Sequence, residues 1–477
     1  MPLLLHNALA MLVARLAPPA FSFAINVAIA RVYGADALGT YVYLLSLLLV
    51  FQAIAGAGMP FLVTRELAVR PDETVDLVRA ARTVGCASGV IAAIGFFVLA
   101  WCSSDGGTAL AAAALAPSLL ASGWIAVQEA YFIARHEHHA VTAVAIAENA
   151  VKLALAGLAL LAGGGLVAVF LAIASARWCA LVVGQKLMDE PVRTGWRPDW
   201  RRALPLARAL PPFAAMIALA MLFFRIDILV LGVLDGGHDT GVYGAALTLY
   251  SVALLLPESA MAAIYPRLAT SFRSGGREAA LATLLTAKLL AIGLVPLALG
   301  MIDLAQPLLH LVYGPPFEDS APALRLLVAS LPIQGMNIAL AQALQASGHQ
   351  REMLAVAGFG TALHLVVTCA FVATLGWLGA PLAVLLSSSV VALSSAWLFH
   401  RRVGTIQVDV GTWIGLSAVA VPIALVLVAP PELERAATAA GVAWLGLALV
   451  ARRMFRRSEV DEIARLIRSG LLEVGVS

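Results

Sequence analysis

The sequence predicts an all-α polytopic membrane protein of about fourteen transmembrane helices. Three observations predict it. Of 477 residues, 61% are hydrophobic and only 12% are charged, about half the charge of a soluble domain; mean hydropathy is +0.92. Apolar runs of about 20 residues, each long enough to cross a bilayer as a helix, recur from end to end. The runs are continuous, whereas a membrane β-barrel shows segments of about ten residues with alternating polarity.

The spans fall near 6–30, 38–60, 84–102, 109–133, 141–162, 166–186, 210–233, 244–266, 280–301, 322–345, 352–376, 379–399, 411–429 and 436–451. The first lacks a basic leading region and continues past Ala30, so it reads as a span and not as a cleavable signal peptide. Turn chemistry separates the runs at Ser103–Gly107, Gly163–Gly165, Asp235–Gly237 and Pro430-Pro431. The four cysteines stand singly in apolar runs, which argues against a disulfide framework or a thiolate metal site. The net charge of +3 is too small to suggest a nucleic-acid partner.

Orientation follows from arginine and lysine bias. With the N-terminus inside, the inner segments hold Arg65, Arg70, Arg79, Arg82, Arg135, Lys186, Arg193, Arg197, Arg201, Arg202, Arg208, Arg267, Arg273, Arg277, Arg351, Arg401, Arg402 and all arginines after Ala451. The outer segments hold only Arg31, Arg325 and Arg435. Both termini are thus expected in the cytoplasm. After Arg452 the basic tail reads as an amphipathic helix on the inner leaflet, with Val460, Ile463, Ile467 and Leu471 on one face.

A repeat organises the chain. Gly39-Thr40-Tyr41 opens span 2 and Arg65 closes it; Gly241-Val242-Tyr243 opens span 8 and Arg267 closes it at the same spacing. Gln128 to Val141 is echoed by Gln342 to Val356. The expected organisation is a first six-helix lobe over 1–205 and a second over 206–404. Two extra spans over 405–451 and a cytoplasmic amphipathic tail over 452–477 follow. An even number of spans per lobe relates the lobes by a pseudo-twofold axis along the membrane normal.

Polar residues inside spans are the functional candidates, because each is costly there without water or a partner. Span 1 carries Arg15, Ser22 and Asn26 within about 20° of one another on a helical wheel. Arg15 lies about 13 Å deep. The face suits a water-filled cavity or a buried structural pair, with Glu129, Glu148 and Glu258 as available partners. Span 4 adds Gln128 and Glu129, and span 6 adds Arg177. In span 5, Glu148 and Lys152 stand at i, i+4 with Asn149 beside them, as a self-neutralised pair or as part of a site. If the acids pair, a net positive lumen remains, which suits a phosphate-bearing anion. In span 7, Arg225 and Asp227 point about 160° apart on a continuous helix. In span 8, Glu258 follows Pro257, where the helix is expected to open. Span 10 shows an amide stripe of Gln334, Asn337, Gln342 and Gln345, suited to sugar hydroxyls or to gluing helices together. His364 in span 11 is read as a structural histidine in preference to a proton-coupling group.

Absent motifs narrow the function. No Gly-x-x-x-x-Gly-Lys-Ser/Thr loop occurs, so ATP is not expected to drive the protein directly. His136-Glu137-His138-His139 lacks zincin spacing, and no Gly-x-Ser-x-Gly is present. No metal, no cofactor and no enzymatic activity are expected.

Several stretches resemble the polysaccharide flippases of the multidrug/oligosaccharidyl-lipid/polysaccharide exporter superfamily. They are Ala30–Gly34 with Leu38–Tyr41, Gly56-Ala57-Gly58 with Thr64-Arg65-Glu66, and Arg225-Ile226-Asp227 with Gly241–Gly244. Tyr265–Leu268, Tyr313–Phe317 and Leu375–Ala380 follow in order. His364 departs from the family's usual asparagine. The resemblance implies two six-helix bundles around a partly cationic cavity in a bacterial inner membrane. It also implies secondary transport of polyprenyl-diphosphate-linked oligosaccharide from the cytoplasmic to the outer leaflet. Arg15, Asn26, Lys152, Arg177 and Arg225 would line the cavity for the diphosphate, and Gln334, Asn337 and Gln342 would meet sugar. Glu129, Glu148, Asp227 and Glu258 would be coupling or partner acids. Membrane lipids, and polysaccharide polymerase or export machinery, are the implied partners. The alternatives are an ion-coupled drug or metabolite antiporter of the same fold, which calls for an acid-dominated cavity, and a membrane-embedded polysaccharide polymerase or ligase, which calls for a large outer loop.

Overall fold

The computed structural model describes residues 2–404 apart from 57, 103–105, 195–197, 235 and 275; of residues 2–17, 106, 107, 194, 266, 267, 273, 274 and 276–278 it describes the backbone alone. Spans 13 and 14, the C-terminal tail and the Arg15 side chain therefore lie outside the described residues. The described chain is helical, with no strand among the described residues. In order the α-helices are α1 Pro2–Gly56, α2 Met59–Val69, α3 Thr74–Cys102, α4 Gly106–Leu115, α5 Pro117–Ala134, α6 His138–Leu161, α7 Gly165–Leu187, α8 Glu190–Thr194 and α9 Trp200–Ala209. They continue with α10 Pro211–Phe223, α11 Ile226–Leu234, α12 Gly237–Ser274, α13 Gly276–Asp303, α14 Ala305–Tyr313, α15 Ala321–Ala329, α16 Leu331–Ala346, α17 Gln350–Leu375 and α18 Gly379–Arg402. Nine stretches of the described residues are long and apolar enough to cross a membrane, or ten if the bent pair α9–α10 is one span. The two longest, Pro18–Val69 and Gln350–Arg402, run to 52 and 53 residues. Each holds two expected spans, divided at Gly34 (φ 81°) and at the 3₁₀ turn Gly376–Leu378.

The chain divides into two compact units between Gly244 and Ala245. In the first unit α3 shows how the sequence sorts its faces. Ala81, Gly85, Gly89, Ala92, Phe96 and Ala100 are buried, while Ile91, Ile94, Val98 and Trp101 are exposed. An exposed apolar stripe of this kind is a liability in water and the expected surface in lipid. On the buried face, a Cβ at Gly85 would meet the Gly123 carbonyl, and one at Gly123 would meet the Gly85 carbonyl. Helices α3 and α5 therefore cross backbone to backbone, as small residues four apart allow. At one end of the unit Arg82, 1% exposed, donates to the Val192 carbonyl (2.8 Å), Gln185 Oε1 (3.1 Å) and Met188 Sδ (3.1 Å). The charge pattern alone made Arg82 an inner-surface charge; in the structure it is a buried anchor that ties α3 to the α7–α8 corner. Helix α9 is fastened nearby. Asp199 caps it by accepting from the Arg202 amide (3.1 Å), and Arg202 forms an ion pair with Asp76 of α3.

In the second unit α13, α15, α16, α17 and α18 pack around Leu324, Leu327, Leu340, Leu344 and Phe399. A proline-marked break interrupts the span in each unit where the repeat aligns them, at Ala116-Pro117 between α4 and α5 and at Ser330-Leu331-Pro332 between α15 and α16. Proline removes a backbone donor, and at both breaks a serine hydroxyl bonds a carbonyl of the last turn before it. Ser118 Oγ donates to the Leu115 carbonyl (2.7 Å), and Ser330 Oγ donates to the Leu327 carbonyl (2.6 Å).

Two expectations are corrected here. Helix α12 runs unbroken through Pro257, and Glu258 is exposed on it. The break falls instead in span 7, where Phe224 and Arg225 form a turn between α10 and α11. The angular separation of Arg225 and Asp227, computed for a continuous helix, therefore does not apply.

Candidate functional site

The first unit gathers a polar layer from four helices. Arg177 on α7 donates from Nη1 to both carboxylate oxygens of Glu148 on α6 (3.0 and 2.8 Å), and from Nε to Ser122 Oγ on α5 (3.1 Å). Lys152, one turn beyond Glu148, donates to Ser22 Oγ on α1 at 3.3 Å. Asn26 is buried one turn from Ser22 on the same helix. Glu129 on α5 is half-buried and within electrostatic reach of Arg177. Of the two readings of Glu148 and Lys152, the self-neutralised pair is not formed: the Glu148 carboxylate takes Arg177 Nη1, and Lys152 reaches α1 instead. Side-chain exposures of 20% for Arg177 and 21% for Glu148 leave both within reach of solvent or ligand.

A second polar group forms at the span 7 break. Asp227, 2% exposed, opens α11, accepts from the Ile228 amide (2.9 Å) and takes a hydrogen bond from the Tyr243 hydroxyl of α12. Arg225 is half-buried in the adjoining turn. Asp227 is thus held by the neighbouring amide and a hydroxyl, and does not stand alone.

The amide stripe lies in the second unit, and two of its four amides engage α18. Gln334 Nε2 donates to Ser388 Oγ (3.0 Å), and Asn337 Nδ2 donates to the Ser388 carbonyl (3.2 Å). Asn337 Oδ1 and Gln342 Oε1 are buried and take no hydrogen bond among the described residues. His364, 2% exposed, meets Ser387 Oγ through Nδ1 at 2.9 Å, the expected structural arrangement. No cluster of three or more histidines, cysteines or acids suited to a metal is present among the described residues.

Sequence reasoning overlooked a close crossing within the first unit. Ala35-x-x-x-Gly39 of α1 faces Gly237-x-x-x-Gly241 of α12. A Cβ at Gly39 would meet the Gly237 carbonyl and, at 2.8 Å, the Gly241 amide; one at Gly241 would meet the Ala35 carbonyl. The signal was present as two small-x-x-x-small motifs, but Gly39 and Gly241 served only as markers of the repeat. Beside the crossing lies a cleft of about 600 Å³, lined by Asp36, Thr40, Tyr43, Thr108, Thr240 and the glycine backbone. Ser122 and Ser388, both partners of candidate residues, were also overlooked; a hydroxyl inside a span is cheap and therefore conspicuous only by its neighbours.

Comparison with known proteins agrees with this architecture. Residues 4–272 match the family model described as polysaccharide biosynthesis protein, and residues 212–370 match the MatE model. The chain is 26% identical over 334 residues to the EPS I polysaccharide export inner membrane protein EpsE of Ralstonia nicotianae, covering 68% of this chain and 74% of that protein. The lipid II flippase MurJ in an inward closed conformation superposes with a TM-score of 0.72 at 12% identity, over 93% of this chain and 99% of that one. An inward-facing multidrug resistance transporter of the MATE family superposes with a TM-score of 0.65 at 15% identity, over 82% and 98%. At these identities the structural likenesses speak for the fold.

Proposed function

The chain belongs to the polysaccharide biosynthesis protein family, and on that premise we propose that it flips a lipid-linked oligosaccharide across the inner membrane. The substrate is a polyprenyl-diphosphate carrying a polysaccharide repeat unit, moved from the cytoplasmic to the outer leaflet by alternating access. One observation carries the reading: the polar layer of α1, α5, α6 and α7 brings Arg177 and Lys152 together, with Glu148 ion-paired to Arg177 and Glu129 within its reach. Guanidinium and ammonium donors match phosphate oxygens, and a diphosphate competes for Arg177 with Glu148. Arg15, seven residues before Ser22, would extend this layer along α1. Arg225 would add a cation, and Gln334, Asn337 and Gln342 would meet sugar hydroxyls; Glu129, Asp227 and Glu258 are the remaining partner or coupling acids. The lobes over 1–205 and 206–404 would be the moving bodies, with α10, α11 and the start of α12 packed on the first of them.

Reconstitution into liposomes with a fluorescent polyprenyl-diphosphate oligosaccharide tests the reading. The protein should raise the fraction of label reached by an impermeant quencher above that of empty liposomes. The fold is shared with multidrug transporters, so the opposing result is specific: gradient-driven movement of a cationic dye with no movement of the labelled lipid would favour the antiporter.

The charge bias makes a separate prediction about sidedness. In a cysteine-free background, Ala162→Cys and His238→Cys should react with an impermeant thiol reagent applied from the periplasm. His139→Cys should react only after permeabilisation. All three residues are exposed, so the reverse pattern would invert the topology and place both termini outside.

A further inference from the structure

The outer surface of α17 and α18 carries a groove that the transport site does not use. It has a volume of about 500 Å³ and is lined by Ala355, Val356, Phe359, Leu393, Ser394 and Trp397. Its walls are open: Phe359 is 55% exposed, Leu393 70% and Trp397 55%. The groove lies toward the end of the second unit where α17 begins and α18 finishes. That end is basic. Arg401 lies over the Trp397 ring, with its guanidinium carbon 4.3 Å from the centroid. Arg351 stands one turn before Ala355 on α17 and is exposed. Arg402 pairs with Glu352 at 3.7 Å, which brings the two helix ends together and neutralises one cation, leaving Arg351 and Arg401.

An apolar trough about one helical turn long on each helix, from Ala355 to Phe359 and from Leu393 to Trp397, about 6 Å, capped at the membrane surface by two arginines, fits one kind of molecule. Acyl chains fill the trough, and a phosphate meets the rim. Basic pockets between membrane helices on the cytoplasmic side recognise anionic head groups in this way. The indole of Trp397 fixes the level of the interface, and its face orients the guanidinium of Arg401. We propose that this groove is a binding site for an anionic phospholipid of the inner leaflet, held by Arg351 and Arg401 at the phosphate and by Phe359, Leu393 and Trp397 along the chain. The site is separate from the Arg177–Glu148 layer, and the proposal stands whether or not the transport reading does.

Native mass spectrometry of the full-length protein tests it, with equal dioleoyl phosphatidylglycerol and dioleoyl phosphatidylcholine added. The wild-type chain should retain one phosphatidylglycerol more firmly than any phosphatidylcholine. The double variant Arg351→Gln/Arg401→Gln should lose that adduct by roughly tenfold or more and keep its phosphatidylcholine binding. Arg401→Lys should retain most of the adduct, and the distant control Arg70→Gln should retain all of it. A benzophenone side chain in place of Leu393 should cross-link phosphatidylglycerol on illumination. Equal retention by wild type and the double variant overturns the proposal. So does cross-linking of position 393 to residues 405–451 of the same chain or to a second copy, since either would show the groove covered by protein.

Discussion

Arg177→Gln should reduce flipping by about 100-fold while the protein accumulates in the membrane at near-normal amounts. The size follows from the bonds lost: charge-assisted hydrogen bonds to a diphosphate are worth about 1.5–3 kcal/mol each, and the guanidinium supplies two or more. The fold survives because Glu148 is not left alone. Lys152 stands four residues beyond it, in the favourable acid-first order, and can turn from Ser22 to take the place of Arg177. That rearrangement is itself damaging to transport, since it withdraws the second cation from the layer. Arg177→Lys keeps the charge without the fork and should cost roughly tenfold. Glu148→Gln should act in the opposite direction on binding, tightening the hold on diphosphate and slowing its release. Liposome flipping rates and membrane abundance measured side by side decide the matter. A normal rate for Arg177→Gln would remove the residue from the transport site, and a collapse in abundance would make the Arg177–Glu148 pair a structural one.

Gly241→Leu is expected to abolish flipping by a different route. Its side chain has no room, because the Ala35 carbonyl and the Gly39 amide occupy the space beside the glycine. Overpacking of this kind costs about 1–3 kcal/mol, and the backbone must yield. The adjoining cleft gives the displaced helix somewhere to go, so the protein should still fold with α1 and α12 held apart. Thr40→Cys, on the cleft wall, should then react with an impermeant thiol reagent at least about tenfold faster than in the Gly241 parent. Gly123→Leu is the contrasting case. Gly85 and Gly123 meet in the packed interior of α3 and α5, and this change should deplete the protein. An unchanged Thr40→Cys labelling rate with normal transport in Gly241→Leu would show that the crossing has no part in the transport cycle.

The membrane class and the placement of apolar helices over the described residues could be read from the sequence, because each depends on residues near one another in the chain. The candidate faces of α1, α6 and α7 were legible for the same reason, as helical periodicity fixes which residues share a side. The pairing across those faces was not. Glu148 has a good partner four residues away in sequence and a better one on another helix, and only packing decides between Lys152 and Arg177. Breaks were misplaced where proline was trusted alone. Pro257 is accommodated in α12, whereas Phe224-Arg225 breaks a span with neither glycine nor proline to announce it; the bonds Asp227 makes to Ile228 and Tyr243 show what that turn gains. Arg82 illustrates a further limit. Composition counts an arginine as a surface charge, and only the carbonyl, amide and thioether around it show that it is enclosed.

The crossing of α1 with α12 also sets an order of events during synthesis. The first unit ends at Gly244, so the corner at Ala35 is completed by a helix more than two hundred residues downstream. Until Gly237–Gly244 emerge from the ribosome and enter the bilayer, the close-packing surface of Ala35 and Gly39 has no partner but lipid. Such a long-range closure is slow relative to local hairpin formation. Nascent chains stalled before residue 237 should therefore remain protease-sensitive around Gly34 and Gly39, and those stalled well after residue 250 should not. Assembly of this unit waits on the eighth span, and insertion factors that shield polar helix faces would be needed for longest at its N-terminal hairpin.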